Sequence, residues 1–147
     1  MDTKDKKTIF ESLQKCENLI KENMASVGNP SEAEVRSINN EKLTVCLDTF
    51  GEHVADVQNM VQVKKDHLEQ LYEAEKLRYM KEIEDGKKMP ANKAESLVKT
   101  DIEYMSELSS LRDLEKSENV LKRKEKSMWA TLDHSRSRFS KVNKDRA

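Results

Sequence analysis

The sequence predicts an all-α fold: a short N-terminal helix followed by a long antiparallel helical hairpin, coiled-coil-like and oligomeric. Three observations lead there. The 147 residues include only three Gly and two Pro, too few for β-rich folds, which need turn signals every ~8–12 positions. Apolar residues recur at helical spacing along most of the chain. One strong turn signal, Glu84-Asp85-Gly86-Lys87-Lys88-Met89-Pro90-Ala91, divides two helical stretches of about fifty residues each. Charged residues make up 37% and hydrophobic residues 35%, against roughly 25% and 45–50% in ordinary domains. Such helices carry narrow apolar stripes, so further copies of the chain are expected to cover them. The length fits one domain, with an N-terminal helix and loop at 1–29 and the hairpin at 30–147.

The first helix is expected over residues 5–24. Ile9, Leu13, Cys16 and Ile20 follow one another at spacings of four, three and four, which makes one apolar face. Glu11 and Lys15, like Glu17 and Lys21, are i,i+4 pairs in the favourable order. Gly28-Asn29-Pro30 then signals a loop.

Ser31 with Glu34 has the capping-box spacing and starts the second helix, which is expected to run to Asp85. Leu47, Phe50, Val54, Val57, Val61, Leu68 and Leu71 fall on a heptad grid, with Lys64 as its one polar position. Such a run predicts coiled-coil-like packing, and these residues are expected at an interface between copies. Gly51 lies inside the run and marks a bend, a break or a close helix crossing.

Gly86 is a natural helix terminator and Pro90 suits the first turn of a new helix, so the turn is placed near 85–91. The last helix is expected to start at 90–92 and run nearly to the end. Leu97, Val98, Ile102, Met105, Leu108, Leu111 and Leu114 form its first apolar stretch. Met128, Leu132 and Phe139 return to a heptad grid, with Trp129 beside them, and all four join the expected interface. A helix of 54 residues would be about 80 Å long at 1.5 Å per residue.

Little in the sequence suggests a reaction. His53 and His67 stand fourteen residues apart and His134 is isolated, so no zinc-ligand spacing exists. There is no G-x-S-x-G motif and no Gly-rich phosphate loop. Acid pairs such as Glu73/Glu75 are what chance gives with 28 acids, and a solvated helix face accounts for them. The protein is expected not to be an enzyme and to need no cofactor and no metal. Cys16 and Cys46 lack a disulfide framework, and Met1 to Lys7 lead into no secretory segment. No apolar run approaches a membrane span. A soluble, cytoplasmic protein with no membrane partner is expected.

The net charge of −1 hides a polarity. Residues 119–147 hold nine Lys/Arg and three Asp/Glu, a net of +6, so the other 118 carry −7. Lys122, Arg123, Lys124 and Lys126 form one basic cluster. Arg136, Arg138, Lys141, Lys144 and Arg146 form a second. Cations neutralise phosphates, and aromatic faces stack unpaired bases. The bland alternatives are a solvated helix end for the cations and core packing for Trp129 and Phe139.

Three stretches together resemble the recombination mediator proteins of tailed phages, the UvsY type. They are Leu77-Arg78-Tyr79-Met80 through Gly86, Asn92-Lys93-Ala94-Glu95-Ser96 through Thr100-Asp101, and Trp129-Ala130-Thr131-Leu132-Asp133 through Arg136, Arg138 and Lys141. The resemblance covers about residues 68–145. It implies a small helical homo-oligomer that binds single-stranded DNA, helps load a RecA-like recombinase and helps displace single-strand-binding protein. Arg78, Lys87, Lys88, Arg136 and Arg138 carry over by position as DNA-binding residues. The competing readings are a helical scaffold or adaptor acting through protein contacts, and an inhibitor of a host protein. A helical module that curves membranes ranks below these, because the first 118 residues are acidic.

Overall fold

The computed structural model describes residues 1–25, 32–84 and 86–146, with side chains at 1–24, 34–82 and 86–137. Four helices and one small β-hairpin follow in the order α1 (Thr3–Ala25), α2 (Glu32–Met80), β1 (Ile83–Glu84), β2 (Lys87–Lys88), α3 (Ala91–Thr100) and α4 (Ile102–Arg146). The expected loop at Gly28-Asn29-Pro30 and the Ser31 cap lie outside the described residues. Among the described residues, no helix is long and apolar enough to cross a membrane.

Asp2 starts α1: its carboxylate Oδ1 accepts the Asp5 amide at 2.8 Å, satisfying one of the open donors of the first turn. Gly51 does not break α2, which is continuous through it. The Glu125 carboxylate of α4 lies beside it, 3.4 Å from where a Cβ would stand, which is ordinary van der Waals contact. Gly51 therefore stands where α2 and α4 pack side by side.

The helix expected to reach Asp85 ends at Met80. The chain turns into strands that pair Ile83 with Lys88 and Glu84 with Lys87. Gly86 has φ 76°, a left-handed conformation that glycine adopts without penalty and that a two-residue hairpin connection requires. Met89 is buried beneath the hairpin exit.

The single long helix expected after the turn is two helices. Asp101, at φ −64° and ψ 131°, is extended and separates α3 from α4. Its Oδ1 accepts the amides of Glu103 at 3.1 Å and Tyr104 at 3.2 Å, which caps α4. Its Oδ2 accepts the Tyr79 hydroxyl at 3.0 Å, tying the end of α2 to the start of α4. A helical hydrogen-bond ladder offers none of these partners, so the carboxylate stabilises the break.

The chain forms two compact units, residues 57–118 and residues 1–56 with 119–147. In the first, α2 and α4 run antiparallel, and Lys64 Nζ lies 3.2 Å from Glu107 while Lys65 lies 3.8 Å from Glu115. Lys76 reaches Glu95 of α3 at 3.0 Å. Val57, Val61, Leu68, Met89, Ala94, Val98, Leu111 and Leu114 are buried apolar residues there, and Tyr72 and Tyr104 pack tilted with ring centroids 5.8 Å apart.

In the second unit, α1 packs with the early part of α2 and the late part of α4. Ile9, Cys16, Leu43, Leu47, Phe50, Val54, Met128 and Leu132 are buried there. Both cysteines are free, and burial, aided by the neighbouring Cys46, pushes the Cys16 thiol up to about 11. A thiol so protonated at neutral pH is a poor nucleophile. Asn40 pins the three helices together: its side-chain oxygen accepts Asn23 Nδ2 of α1 at 3.2 Å and the Ser135 hydroxyl of α4 at 3.0 Å.

The residues expected between copies have these positions within the single chain. Leu47, Phe50, Val54, Val57, Val61, Leu68, Met128 and Leu132 are buried within the single chain, and Leu71 and Trp129 are half-buried in it. The chain's own helices cover the stripe because α2 and α4 present matching apolar faces to each other. Phe139 belongs to α4, but its side chain lies outside the described residues.

Candidate nucleic-acid interface

The candidate basic residues of the second unit stand on α4, whose pitch decides which of them share a face. At about 100° per residue, positions i, i+4, i+7 and i+14 share a face. Lys122, Lys126, Trp129 and Arg136 have this spacing. They form one stripe about 21 Å long, beside the buried line of Met128 and Leu132. Lys122, Lys126 and Arg136 are exposed, and Trp129 is half-buried. The continuity of this stripe is not evident from the basic clusters read as runs of sequence.

Arg123 and Lys124 are exposed but point off the stripe. Lys124 faces α1, where its Nζ lies 3.6 Å from Glu17. Arg136 ends the stripe and is fixed in place. Its guanidinium donates to the Thr44 hydroxyl at 2.6 Å and lies 3.9 Å from Asp133. Beside it runs a polar groove of about 350 Å³ lined by Ser37, Asn40, Glu41, Thr44 and Arg136. The side chains of Arg138 and Lys141 lie outside the described residues, although their backbone belongs to α4.

The candidates of the other unit divide. Lys87 and Lys88 are exposed on β2. Arg78 is occupied within the fold. Its Nε and Nη2 both donate to Glu75 Oε2, at 3.0 and 2.6 Å, and it lies 3.5 Å from Asp101. Its guanidinium also sits 4.5 Å over the Tyr79 ring. Hydrogen bonding to Glu75 raises its already high pKa. Arg78 therefore holds the end of α2, and its charge is partly neutralised before any ligand arrives.

The polar residues that organise both units escape the sequence reading. Asp101 stands in a Thr-Asp pair inside an otherwise helical pattern, which is a cap signal. Asn39-Asn40, just before the apolar heptad run of α2, is the corresponding clue to the pin. The partners of both come from distant segments.

Asp101 gives a pH-dependent expectation. The Tyr104 amide, then the Tyr79 hydroxyl and the Glu103 amide, hold its carboxyl below the ordinary carboxylate range, against a desolvation that raises it. A carboxyl depressed on folding stabilises the protein above its unfolded pKa, and that contribution is lost as pH falls through the folded value. Asp101→Asn keeps a capping side chain and removes the charge. The variant should melt below the wild type near neutral pH, and the two melting temperatures should converge in acid. A gap that persists well below the carboxylate range would show that Asn fails to cap.

Among the described residues, no group of three or more His, Cys, Asp and Glu is placed to hold a metal ion. No family model, no curated protein and no solved structure matches the chain.

Proposed function

We propose that this chain is a non-enzymatic accessory protein of DNA recombination that binds single-stranded DNA as a homo-oligomer. On this reading it helps load a RecA-like recombinase and helps displace single-strand-binding protein. The observation that carries the DNA-binding step is the exposed stripe of Lys122, Lys126 and Arg136 on α4, within a terminal stretch of net charge +6 in an otherwise acidic chain. Phosphates are neutralised by such a row while the acidic remainder repels the strand, which confines it to one path. Loading would follow from differential affinity: a strand held in the shape the recombinase prefers is easier to transfer. The recombinase and single-strand-binding protein enter through the family resemblance.

Fluorescence anisotropy with a labelled single strand tests the binding step. Affinity should fall steeply with salt, by roughly 0.7 log units per log unit of salt for each phosphate neutralised. Replacing Lys122, Lys126 and Arg136 together by Ala should reduce that slope by about 2. Weak binding that is the same in wild type and variant, and insensitive to salt, would reject this reading in favour of a helical scaffold acting through protein contacts. Light scattering tests the oligomer separately.

A further inference from the structure

We infer that Trp129 gives the α4 stripe a preference for unpaired over paired nucleic acid, by stacking on a base while the neighbouring cations hold the backbone. The inference rests on the proposed nucleic-acid reading and adds the source of strand selectivity. Trp129 is the only tryptophan in the chain. It is half-buried, whereas Met128 and Leu132, which pack the same helix into its unit, are buried. Trp129 is thus partly covered within its unit and partly accessible. A partly covered side chain has less rotamer freedom to lose when a base stacks on it than a fully exposed one.

The charges around it set a register. Lys122 and Lys126 precede Trp129 by seven and three residues on the same face, and Arg136 follows it by seven. Asp133 lies between Trp129 and Arg136 on that face, exposed and 3.9 Å from the Arg136 guanidinium. Its carboxylate disfavours a phosphate there. A strand along the stripe is therefore held at both ends, with a base at the centre. Arg136 is steadied by Thr44, whose hydroxyl itself donates to the Asn40 carbonyl at 2.8 Å. Cations bind single and double strands alike through phosphate. An indole face needs a base that is not already stacked in a duplex, and that requirement supplies the discrimination.

The test uses the full chain with an unlabelled thymidine homo-oligomer and a blunt duplex of equal length. Trp129 is the sole source of indole fluorescence, so saturable quenching by the oligomer and little by the duplex is expected. Trp129→Leu should weaken single-strand binding about tenfold and leave duplex affinity and the salt slope unchanged. Trp129→Phe should retain most of the single-strand affinity. If the Leu variant does not fold, wild-type quenching and the Phe variant carry the test. Salt-dependent binding without quenching, or an equal loss on both ligands in Trp129→Leu, overturns the inference and leaves the nucleic-acid reading intact. Absence of binding to either ligand overturns both.

Discussion

Phe50→Ala is expected to destabilise the protein by about 3–5 kcal/mol, the range for removing a buried aromatic ring. Phe50 is 0% exposed and lies on α2 between Leu47 and Val54, which are also buried. Two terms add. The ring's transfer free energy is lost, and the space it filled stays open where neighbours cannot move in. Collapse is limited because Phe50 stands within a continuous helix of 49 residues, whose backbone ladder cannot bend inward at one position without breaking hydrogen bonds. The loss is large against a typical total of roughly 5–15 kcal/mol. Val45→Ala, at an exposed site on the same helix, should change stability by no more than about 0.5 kcal/mol. Urea melts followed by far-UV circular dichroism give both values, with a lower midpoint and an unchanged slope for Phe50→Ala. A loss below about 1 kcal/mol would mean that the ring is not packed as described.

The same residue shows what periodicity reveals and what it leaves open. The heptad spacing from Leu47 to Leu68 identifies the apolar line of α2, because a helix must turn those positions to one side. It does not say what covers the line. A second copy or a later segment of the same chain satisfies the pattern equally, and here α4 and α1 do so. Turn chemistry was legible at Gly86 in position but not in kind. Helical pattern up to Ile83 masked a hairpin that the Asp85-Gly86 pair also signals. Asp101 was harder, because its break is stabilised by Tyr79, 22 residues earlier. The basic character of the C-terminal stretch was legible from composition. Its stripe required the helical phase, and the internal use of Arg78 required the partners Glu75 and Asp101. Local spacing thus yields helices and charges, whereas polar contacts between distant segments decide which side chains the fold itself uses.

Asn40→Ala is expected to cost about 2–3 kcal/mol, more than most single polar substitutions, because it removes an acceptor that side chains on two other helices use. Asn40, Asn23 and Arg36 are buried polar residues of the same unit. Removing the Asn40 amide takes away the acceptor used by Asn23 Nδ2 and by the Ser135 hydroxyl. A buried donor left without its acceptor loses more than the net value of one hydrogen bond, since it was desolvated on folding and gains nothing in return. The Ser135 site is only half-buried, so water relieves part of its penalty. Coupling separates this pin from ordinary packing. Ser135→Ala should destabilise the wild type and cost nothing further in the Asn40→Ala background; equal costs in both would show that the two residues act independently. The pin also reaches the basic stripe. Thr44 donates to the main-chain carbonyl of Asn40, which Asn40→Ala retains, and accepts from Arg136, the residue after Ser135. Freeing Ser135 loosens the turn of α4 that aims Arg136 while leaving its charge unchanged. Single-strand affinity in Asn40→Ala should therefore fall less than in the triple charge variant, and its salt slope should stay at the wild-type value, because the number of phosphates neutralised is the same.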